Sequence, residues 1–197
     1  MLVGRRPDEQ ASGKRFVVMA WQYLLQVVEV FLKVTEGPFV IVLVGFMGSG
    51  KTTVGRELAR QLELPFADLD YLIEIAERRS IADIFAHDGE AAFRDIEHRE
   101  LARAIPGGVL ALGGGAYVQE RNRELLRGRA TVVWLDVPFE RALRRVAGAG
   151  HRPLAKDPEK FAELYAARRS AYAEADATIL ITSDDPTTAV ASILEVL

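Results

Sequence analysis

The chain has 197 residues, of which 49% are hydrophobic and 27% are charged. This length fits one medium-sized domain, or one domain with a short appendage, and the composition excludes a disordered or collagen-like chain. Its 28 acidic and 25 basic residues give a net charge of -3, which argues against nucleic acid as a partner and against charge-driven attachment to a membrane. The absence of cysteine excludes disulfides, thiolate nucleophiles and iron–sulfur clusters.

The first 36 residues differ in composition from the rest of the chain. Residues 1–13 are polar and contain glycine and proline, so we expect a disordered start. Residues 16–33 predict an apolar helix with one narrow polar stripe, formed by Gln22, Gln26, Glu29 and Lys33. Its apolar face requires a cover. We favour packing against the domain, a second subunit or another protein; attachment at a membrane interface and a non-native extension stay open as alternatives.

Residues 38–197 carry alternating signals for strands and helices. Strands are predicted at 39–44, 66–69, 109–112, 131–135 and 177–181. Helices are predicted at 51–62, 71–78, 81–87, 90–104 and 138–147, with two more beginning at 158 and 186. Ser80, Asp157 and Asp185 are expected as N-caps, and residues 148–157 as a lid. This alternation predicts a three-layer α/β domain with a five-stranded parallel sheet flanked by helices.

The segment from Gly45 to Thr52 matches the pattern G-x-x-x-x-G-K-[ST] between a predicted strand and a predicted helix. Glycines allow backbone amides to face phosphate oxygens, and the following helix adds the positive end of its dipole. Lys51 would supply a charge for the terminal phosphates, and the Thr52 hydroxyl would bind Mg²⁺. The segment predicts a nucleoside triphosphate site and leaves kinase, GTPase and ATPase open.

Two acids, Asp68 and Asp70, end the second predicted strand. Residues two apart in a strand point to the same side, so both could face the ligand at the carboxyl edge of the sheet. One could orient Mg²⁺ through water, and the other could accept a hydroxyl proton or hydrogen-bond an acceptor hydroxyl. The alternative is a pair of ordinary surface acids.

Further along the chain, Phe93, Arg94 and Glu97 lie on one predicted helix, with the arginine and the glutamate on the same face. They could form a solvated ion pair of little consequence. Alternatively, Glu97 holds the guanidinium of Arg94 rigid for a carboxylate ligand, and Phe93 forms a wall of the pocket.

Gly113, Gly114 and Gly115 follow the third predicted strand directly, where they would permit close approach of a ligand. Arg152, in an R-P-L sequence, lies in the predicted lid and could move onto phosphates. Arg168 follows on the next helix. For each arginine, ordinary exposure is the alternative.

Six motifs of this sequence, taken in chain order, resemble those of the shikimate kinases. They are G-x-G-K-T, D-x-D, F-R-x-x-E, G-G-G, R-P-L and the R-x-x-x-Y of Arg168 to Tyr172. The resemblance covers residues 40–197 and excludes the first 36 or so. It implies a P-loop kinase fold related to the nucleoside monophosphate kinases, with ATP and Mg²⁺ as cofactors. It also implies phosphorylation of the 3-hydroxyl of shikimate in aromatic amino acid biosynthesis. Dependence on ATP and the lack of a convincing export signal favour the cytoplasm, and we expect a monomer.

The resemblance also implies roles for individual residues. The ATP phosphates would be bound by Gly48, Ser49, Gly50, Lys51, Thr52 and Thr53. Mg²⁺ would be held by Thr52, with Asp68 behind its water shell. Arg152 would be the lid arginine on the transferred phosphate, and Arg145 would lie near the adenine.

On the acceptor side, the resemblance implies that Asp70 holds the shikimate hydroxyls and is a candidate base. Arg94 and Arg168 would grip the shikimate carboxylate, and Gly114 would bond the ring through its backbone. The remaining residues expected around the substrate are Phe93, Glu97, Gly113 and Gly115.

Two other functions fit parts of this pattern. One is another small-molecule P-loop kinase such as a gluconate kinase, which would have no use for the triglycine with paired arginines. The other is a non-catalytic ligand-binding regulatory module, which is disfavoured because Lys51, Asp68, Asp70, Arg94 and Arg152 are all present.

Overall fold

The computed structural model describes residues 40–104, 107–148 and 157–197. Its strands are β1 (Val40–Val44), β2 (Phe66–Asp68), β3 (Gly108–Ala111), β4 (Thr131–Asp136) and β5 (Ala177–Leu180). Its helices are α1 (Lys51–Leu62), α2 (Leu69–Glu77), α3 (Ile81–Ala104), α4 (Glu120–Leu126), α5 (Phe139–Gly148), α6 (Pro158–Tyr172) and α7 (Pro186–Leu194), with a 3-10 turn at Ala116–Val118. The helix predicted at 16–33 and Arg152 of the predicted lid lie outside the described residues.

The five strands form one sheet in the order β2-β3-β1-β4-β5, and every neighbouring pair is parallel. All residues of β1, a continuous β-branched and aliphatic run, are buried, as is typical of a central parallel strand covered on both faces. The edge strands β2 and β5 are less buried. The prediction of a five-stranded parallel α/β sheet flanked by helices is confirmed.

The three predicted N-caps and the predicted break between the helices at 81–87 and 90–104 are also confirmed. The side chains of Ser80, Asp157 and Asp185 each accept a backbone N–H from two or three residues further on, which caps α3, α6 and α7. Gly89 has φ 81° and ψ 175°, so α3 consists of two helical segments that meet at this residue. None of the described helices is long and apolar enough to cross a lipid bilayer.

The structure differs from the sequence prediction by more than one residue at two places. The helix α2 begins at Leu69, two residues earlier than predicted, because the Asp68 side chain accepts the N–H of Asp70 and caps it. Asp70 therefore lies in the first turn of α2, and the prediction that both acids end the second strand is wrong for Asp70. The 3-10 turn and α4 occupy a segment for which the sequence pattern predicts no element. The buried side chains of α4 are Asn122 and Leu126, so its buried face lacks the apolar periodicity by which a helix is recognised.

Candidate active site

The loop between β1 and α1 is shaped by its glycines. Gly45, Gly48 and Gly50 have φ values of 142°, 80° and 91°, which residues with a side chain rarely adopt. A Cβ on Gly45 would lie 2.7 Å from the Leu135 carbonyl oxygen, so the available space also requires glycine. The loop leads into the N-terminus of α1, whose first amides have no partner within the helix. Such a loop and helix end together form an anion site.

Lys51, the first residue of α1, folds its side chain back along this loop. Its ammonium donates to the carbonyl oxygens of Gly45 and Phe46 at 2.9 and 3.1 Å. It also lies 3.4 Å from the Ser49 Oγ atom. These contacts place a positive charge inside the loop, where it adds to the field of the backbone amides.

Thr52 and Asp68 meet across the start of α1 and the end of β2. The Thr52 hydroxyl donates to Asp68 Oδ2 at 2.7 Å, and Asp68 Oδ1 accepts the backbone N–H of Asp70 at 3.1 Å. Both side chains are therefore fixed in orientation. Hydroxyl and carboxylate oxygens are ligands that Mg²⁺ prefers, and Mg²⁺ keeps several waters and phosphate oxygens besides one or two protein ligands. The pair fits such a site, although no group of three or more acidic or histidine side chains among the described residues could hold a metal ion by itself.

The triglycine loop after β3 brings three predicted site residues together. A Cβ on Gly113 would overlap Asp70 Oδ1, and a Cβ on Gly114 would lie 3.2 Å from an Arg168 nitrogen. A Cβ on Gly115 would lie 2.7 Å from both terminal nitrogens of Arg94. None of the three glycines has a positive φ, so it is close contact and not backbone conformation that restricts these positions. A carboxylate and two guanidinium groups from three helices thus lie against three consecutive residues.

Arg94 is held by two carboxylates on its own helix. Its guanidinium donates to Glu97 Oε2 at 2.9 Å and to Glu90 Oε1 at 3.0 Å, and it lies 5.2 Å from the ring centroid of Phe93. The Glu97 side chain is only 1% exposed, so this ion pair is shielded from solvent on one side. The ion pair predicted between Arg94 and Glu97 is therefore present, and Phe93 is buried beside it.

Burial raises the pKa of Glu97 above its ordinary value of 4.5, and the nearby guanidinium of Arg94 counteracts this shift. A carboxyl whose pKa rises on folding adds stability below its unfolded pKa, and this contribution is lost as the pH rises through the native value. We therefore compare the melting temperature of wild type with that of Glu97→Gln. The value obtained by subtracting the melting temperature of the variant from that of wild type should be larger at pH 4.5 than at pH 7.5. Thermal melts of both proteins at both pH values measure this difference, and a difference independent of pH would contradict the assigned shift.

Arg168 is oriented by the triglycine backbone. It donates to the Gly114 carbonyl oxygen at 3.1 Å and lies 5.7 Å from the ring centroid of Phe46. The Tyr172 hydroxyl donates to the same carbonyl. Burial raises the pKa of Tyr172 to about 12, so this hydroxyl keeps its proton at physiological pH. The R-x-x-x-Y motif therefore places two donors on one carbonyl of the triglycine.

A cavity of about 440 Å³ lies beside the phosphate loop, between α1 and the segment that follows β5. Ser49, Gly50 and Thr53 line it on the loop side, and Arg145 and Asp184 line it opposite. Arg145 donates to the Gly48 carbonyl oxygen at 2.8 Å and to Asp184 Oδ1 at 2.7 Å. Hydrogen bonds from Arg145 and then from Arg141 lower the pKa of Asp184, so its carboxylate stays ionised beside this cavity.

Two residues that shape these sites are not predicted from the sequence. Asp184 orients Arg145, and its only signal is its place in the segment after the last strand. Tyr172 belongs to a quoted motif, but no role follows from the motif alone. The phosphate loop and the triglycine adjoin, since a Cβ on Gly114 would lie 3.7 Å from the Met47 nitrogen and 3.8 Å from the Gly45 oxygen.

The fold and this pair of adjoining sites define a P-loop phosphotransferase: a triphosphate site at the end of β1 and a second site built from a carboxylate and two guanidinium groups. Comparisons with known proteins agree. Residues 47–197 match the family model "Shikimate kinase". The shikimate kinase of Paramagnetospirillum magneticum is 46% identical over 160 residues, which cover 79% of this chain and 82% of that protein. The shikimate kinase of Caulobacter vibrioides is 50% identical over 151 residues, covering 74% and 75%.

Solved structures give the same result. Shikimate kinase from Aquifex aeolicus superimposes with a TM-score of 0.74 at 37% identity, covering 80% of this chain and 95% of that one. Shikimate kinase from Acinetobacter baumannii, solved in complex with shikimate, gives 0.76 at 39% identity, covering 83% and 94%. The chain belongs to the shikimate kinase family.

Proposed function

We propose that this enzyme transfers the terminal phosphoryl group of ATP to the 3-hydroxyl of shikimate. The observation that carries the proposal is the triglycine loop, on which Asp70, Arg168 and Arg94 converge beside the phosphate loop. An acceptor that is both a carboxylate and an alcohol needs cations for the first group and an acidic side chain for the second, adjacent to the phosphate to be transferred. Membership of the shikimate kinase family supports the same substrate.

On the donor side, the loop amides and Lys51 bind the phosphates and offset the charge that accumulates during transfer. The cavity beside Ser49, Gly50 and Thr53 takes the nucleoside, and Arg145 faces it from α5. Because Asp184 and the Gly48 carbonyl both hold Arg145, the guanidinium is oriented before the nucleotide arrives. Arg152, which lies outside the described residues, is assigned to the lid that covers the transferred phosphate.

Thr52 and Asp68 are the residues that would hold Mg²⁺. The ion supplies positive charge to the terminal phosphates when it is bound. The short hydrogen bond between these side chains keeps both oxygens at the end of the phosphate loop. Asp68 is held in turn by the N–H of Asp70, so the metal site and the acceptor site share one short segment of backbone.

On the acceptor side, Arg94 and Arg168 bind the carboxylate of shikimate, since guanidinium groups pair with carboxylates through two parallel hydrogen bonds. Asp70 accepts a hydrogen bond from the ring hydroxyl and is the candidate that takes its proton. Glu97 keeps Arg94 from swinging toward solvent. The protein thus aligns acceptor and donor and excludes water, and little covalent chemistry is required of it.

The reaction is placed in the cytoplasm, where ATP is supplied. A monomer is proposed as the working unit.

The proposed function is tested by measuring ADP release with shikimate, with quinate, with gluconate and without an acceptor. We expect rapid release with shikimate, and release with gluconate or without an acceptor at the background rate. Equal rates with and without an acceptor would make the protein an ATPase, and preference for gluconate would assign it to a different class of kinase.

Arg94→Ala is expected to raise the KM for shikimate and to leave the KM for ATP within about twofold. Removing one partner of a desolvated charge pair costs about 2–5 kcal/mol, which corresponds to about 30-fold or more in affinity. Arg103→Ala is the matched control, because Arg103 lies on the same helix with its side chain 66% exposed. Steady-state kinetics with each substrate varied separately measure the effect; an unchanged KM for shikimate would remove Arg94 from the site.

A further inference from the structure

The triglycine continues into the 3-10 turn, and residues 113–118 together form the loop that precedes α4. The buried polar residue Asn122 of α4 contacts this loop at Ala116. The Asn122 side-chain amide donates to the Ala116 carbonyl oxygen at 2.9 Å, and its Oδ1 lies 2.6 Å from His98 Nδ1. Asn122 is fully buried. A backbone carbonyl can only accept, so the amide nitrogen must face Ala116 and the amide oxygen must face His98. His98 Nδ1 therefore carries a proton, which both the neutral Nδ1–H tautomer and the imidazolium possess.

A second residue of α4, Arg123, connects the loop to the residues that follow α6. Arg123 donates to the carbonyl oxygens of Tyr117 and Val118 at 3.1 and 2.8 Å, and it pairs with Glu174 at 3.1 Å. The carbonyls of Gly113 and Gly115 accept backbone N–H groups, and that of Gly114 accepts from α6. Every carbonyl from 113 to 118 thus has a donor, as is expected of a partly buried segment with a fixed backbone.

The residues that Asn122 connects are those that set the acceptor site. His98 stands four positions after Arg94 on α3, so both side chains lie on the same face of the helix. Arg94 contacts Gly115 so closely that a Cβ there would come within 2.7 Å of its nitrogens. The next residue, Ala116, is the one that Asn122 holds and links to His98. This hydrogen-bonded bridge therefore links α3 to the residue that follows the triglycine, beside the ion pair between Arg121 and Asp95 that also joins α3 to α4.

We propose that His98 and Asn122 are positioning residues that hold the triglycine loop at a fixed position relative to the Arg94 side chain. The inference rests on the proposed function and extends it to two residues that do not line the cavity beside the phosphate loop and that no motif singles out. Arg94 and the triglycine are assigned to shikimate and not to ATP, so loss of the bridge should weaken shikimate binding far more than nucleotide binding. A displacement of about 1 Å at an acceptor site can cost about 100-fold in rate.

The test compares Asn122→Ala, His98→Phe and His98→Gln with wild type. We expect the first two to raise the KM for shikimate at least about tenfold while the KM for ATP changes less than about twofold. Glutamine can still donate to Asn122, so His98→Gln should recover most of the wild-type KM. Hydrogen–deuterium exchange of residues 113–118 should become faster in Asn122→Ala and His98→Phe and stay close to wild type in His98→Gln.

Ile193→Val is the stability control. Ile193 is fully buried in α7, a helix that packs against α1. The substitution should lower the melting temperature without changing the KM for shikimate. If Asn122→Ala does not fold, His98→Phe decides, because His98 is only partly buried.

Two results would overturn the inference: parallel changes in both KM values that follow the loss of stability, or an unchanged KM for shikimate together with unchanged exchange at 113–118. Failure of the proposed function is distinguishable, because wild type would then show no shikimate-dependent ADP release. The exchange measurement would still report whether the bridge holds the loop.

Discussion

Replacing Lys51 by methionine is expected to lower kcat by about 100- to 1000-fold, the range found when one preorganised donor to a charged transition state is removed. The ammonium lies within 3.4 Å of three oxygens of the phosphate loop, so the position of the charge is set before substrate binds. Methionine keeps most of the side-chain volume and removes the charge. The loop glycines and helix amides remain, so ATP should still bind.

A coupled ADP-release assay with shikimate measures the loss of turnover, and nucleotide binding is measured separately by calorimetry. Arg60→Met is the matched control, because Arg60 is a cation at the far end of the same helix and is 70% exposed. Turnover within about tenfold of wild type would show that the backbone amides alone provide the stabilisation assigned to Lys51.

Gly113→Ala is expected to lower kcat about 100-fold while the protein still folds. The backbone at Gly113 does not have a positive φ, so alanine is sterically acceptable to the main chain. Its Cβ would overlap the carboxylate of Asp70, and the flexible end of that side chain would have to move. Displacing the group that contacts the reacting hydroxyl by about 1 Å costs about two orders of magnitude.

The neighbouring glycine provides a contrast. A Cβ on Gly114 would lie 3.2 Å from a nitrogen of Arg168, a tight contact that a small shift can relieve. Gly114→Ala should therefore raise the KM for shikimate several-fold with a smaller effect on kcat. Steady-state kinetics and thermal melts of both variants test this order, and wild-type kcat in Gly113→Ala would show that Asp70 does not act on the reacting hydroxyl.

Most of the fold was predictable because its signals are local. The β-branched apolar run from Val40 to Val44 is typical of a buried central strand. Ser80, Asp157 and Asp185 accept backbone N–H groups only a few residues away. Helix α4 was not predicted because one of its two buried residues, Asn122, is polar. Asn122 is tolerated in the interior only because Ala116 and His98 complete its hydrogen bonds, and His98 is 24 positions distant.

The candidate site divides in the same way. The phosphate loop with Lys51 and Thr52 is one contiguous segment, and its spacing predicts its chemistry directly. Asp184 and Tyr172 have partners 39 and 58 positions away. No pattern within a short window contains such a pair.

The amino-acid sequence by itself determined the triphosphate loop, the alternating elements and the set of charged residues available to a second substrate. These follow from φ preferences, hydrophobic periodicity and side-chain chemistry, which act within a few residues. Only the tertiary structure decided which charged group lies against which glycine: Asp70 on Gly113, Arg168 on Gly114 and Arg94 on Gly115. Those contacts depend on how three helices pack at the carboxyl edge of the sheet, and packing is set by the whole core.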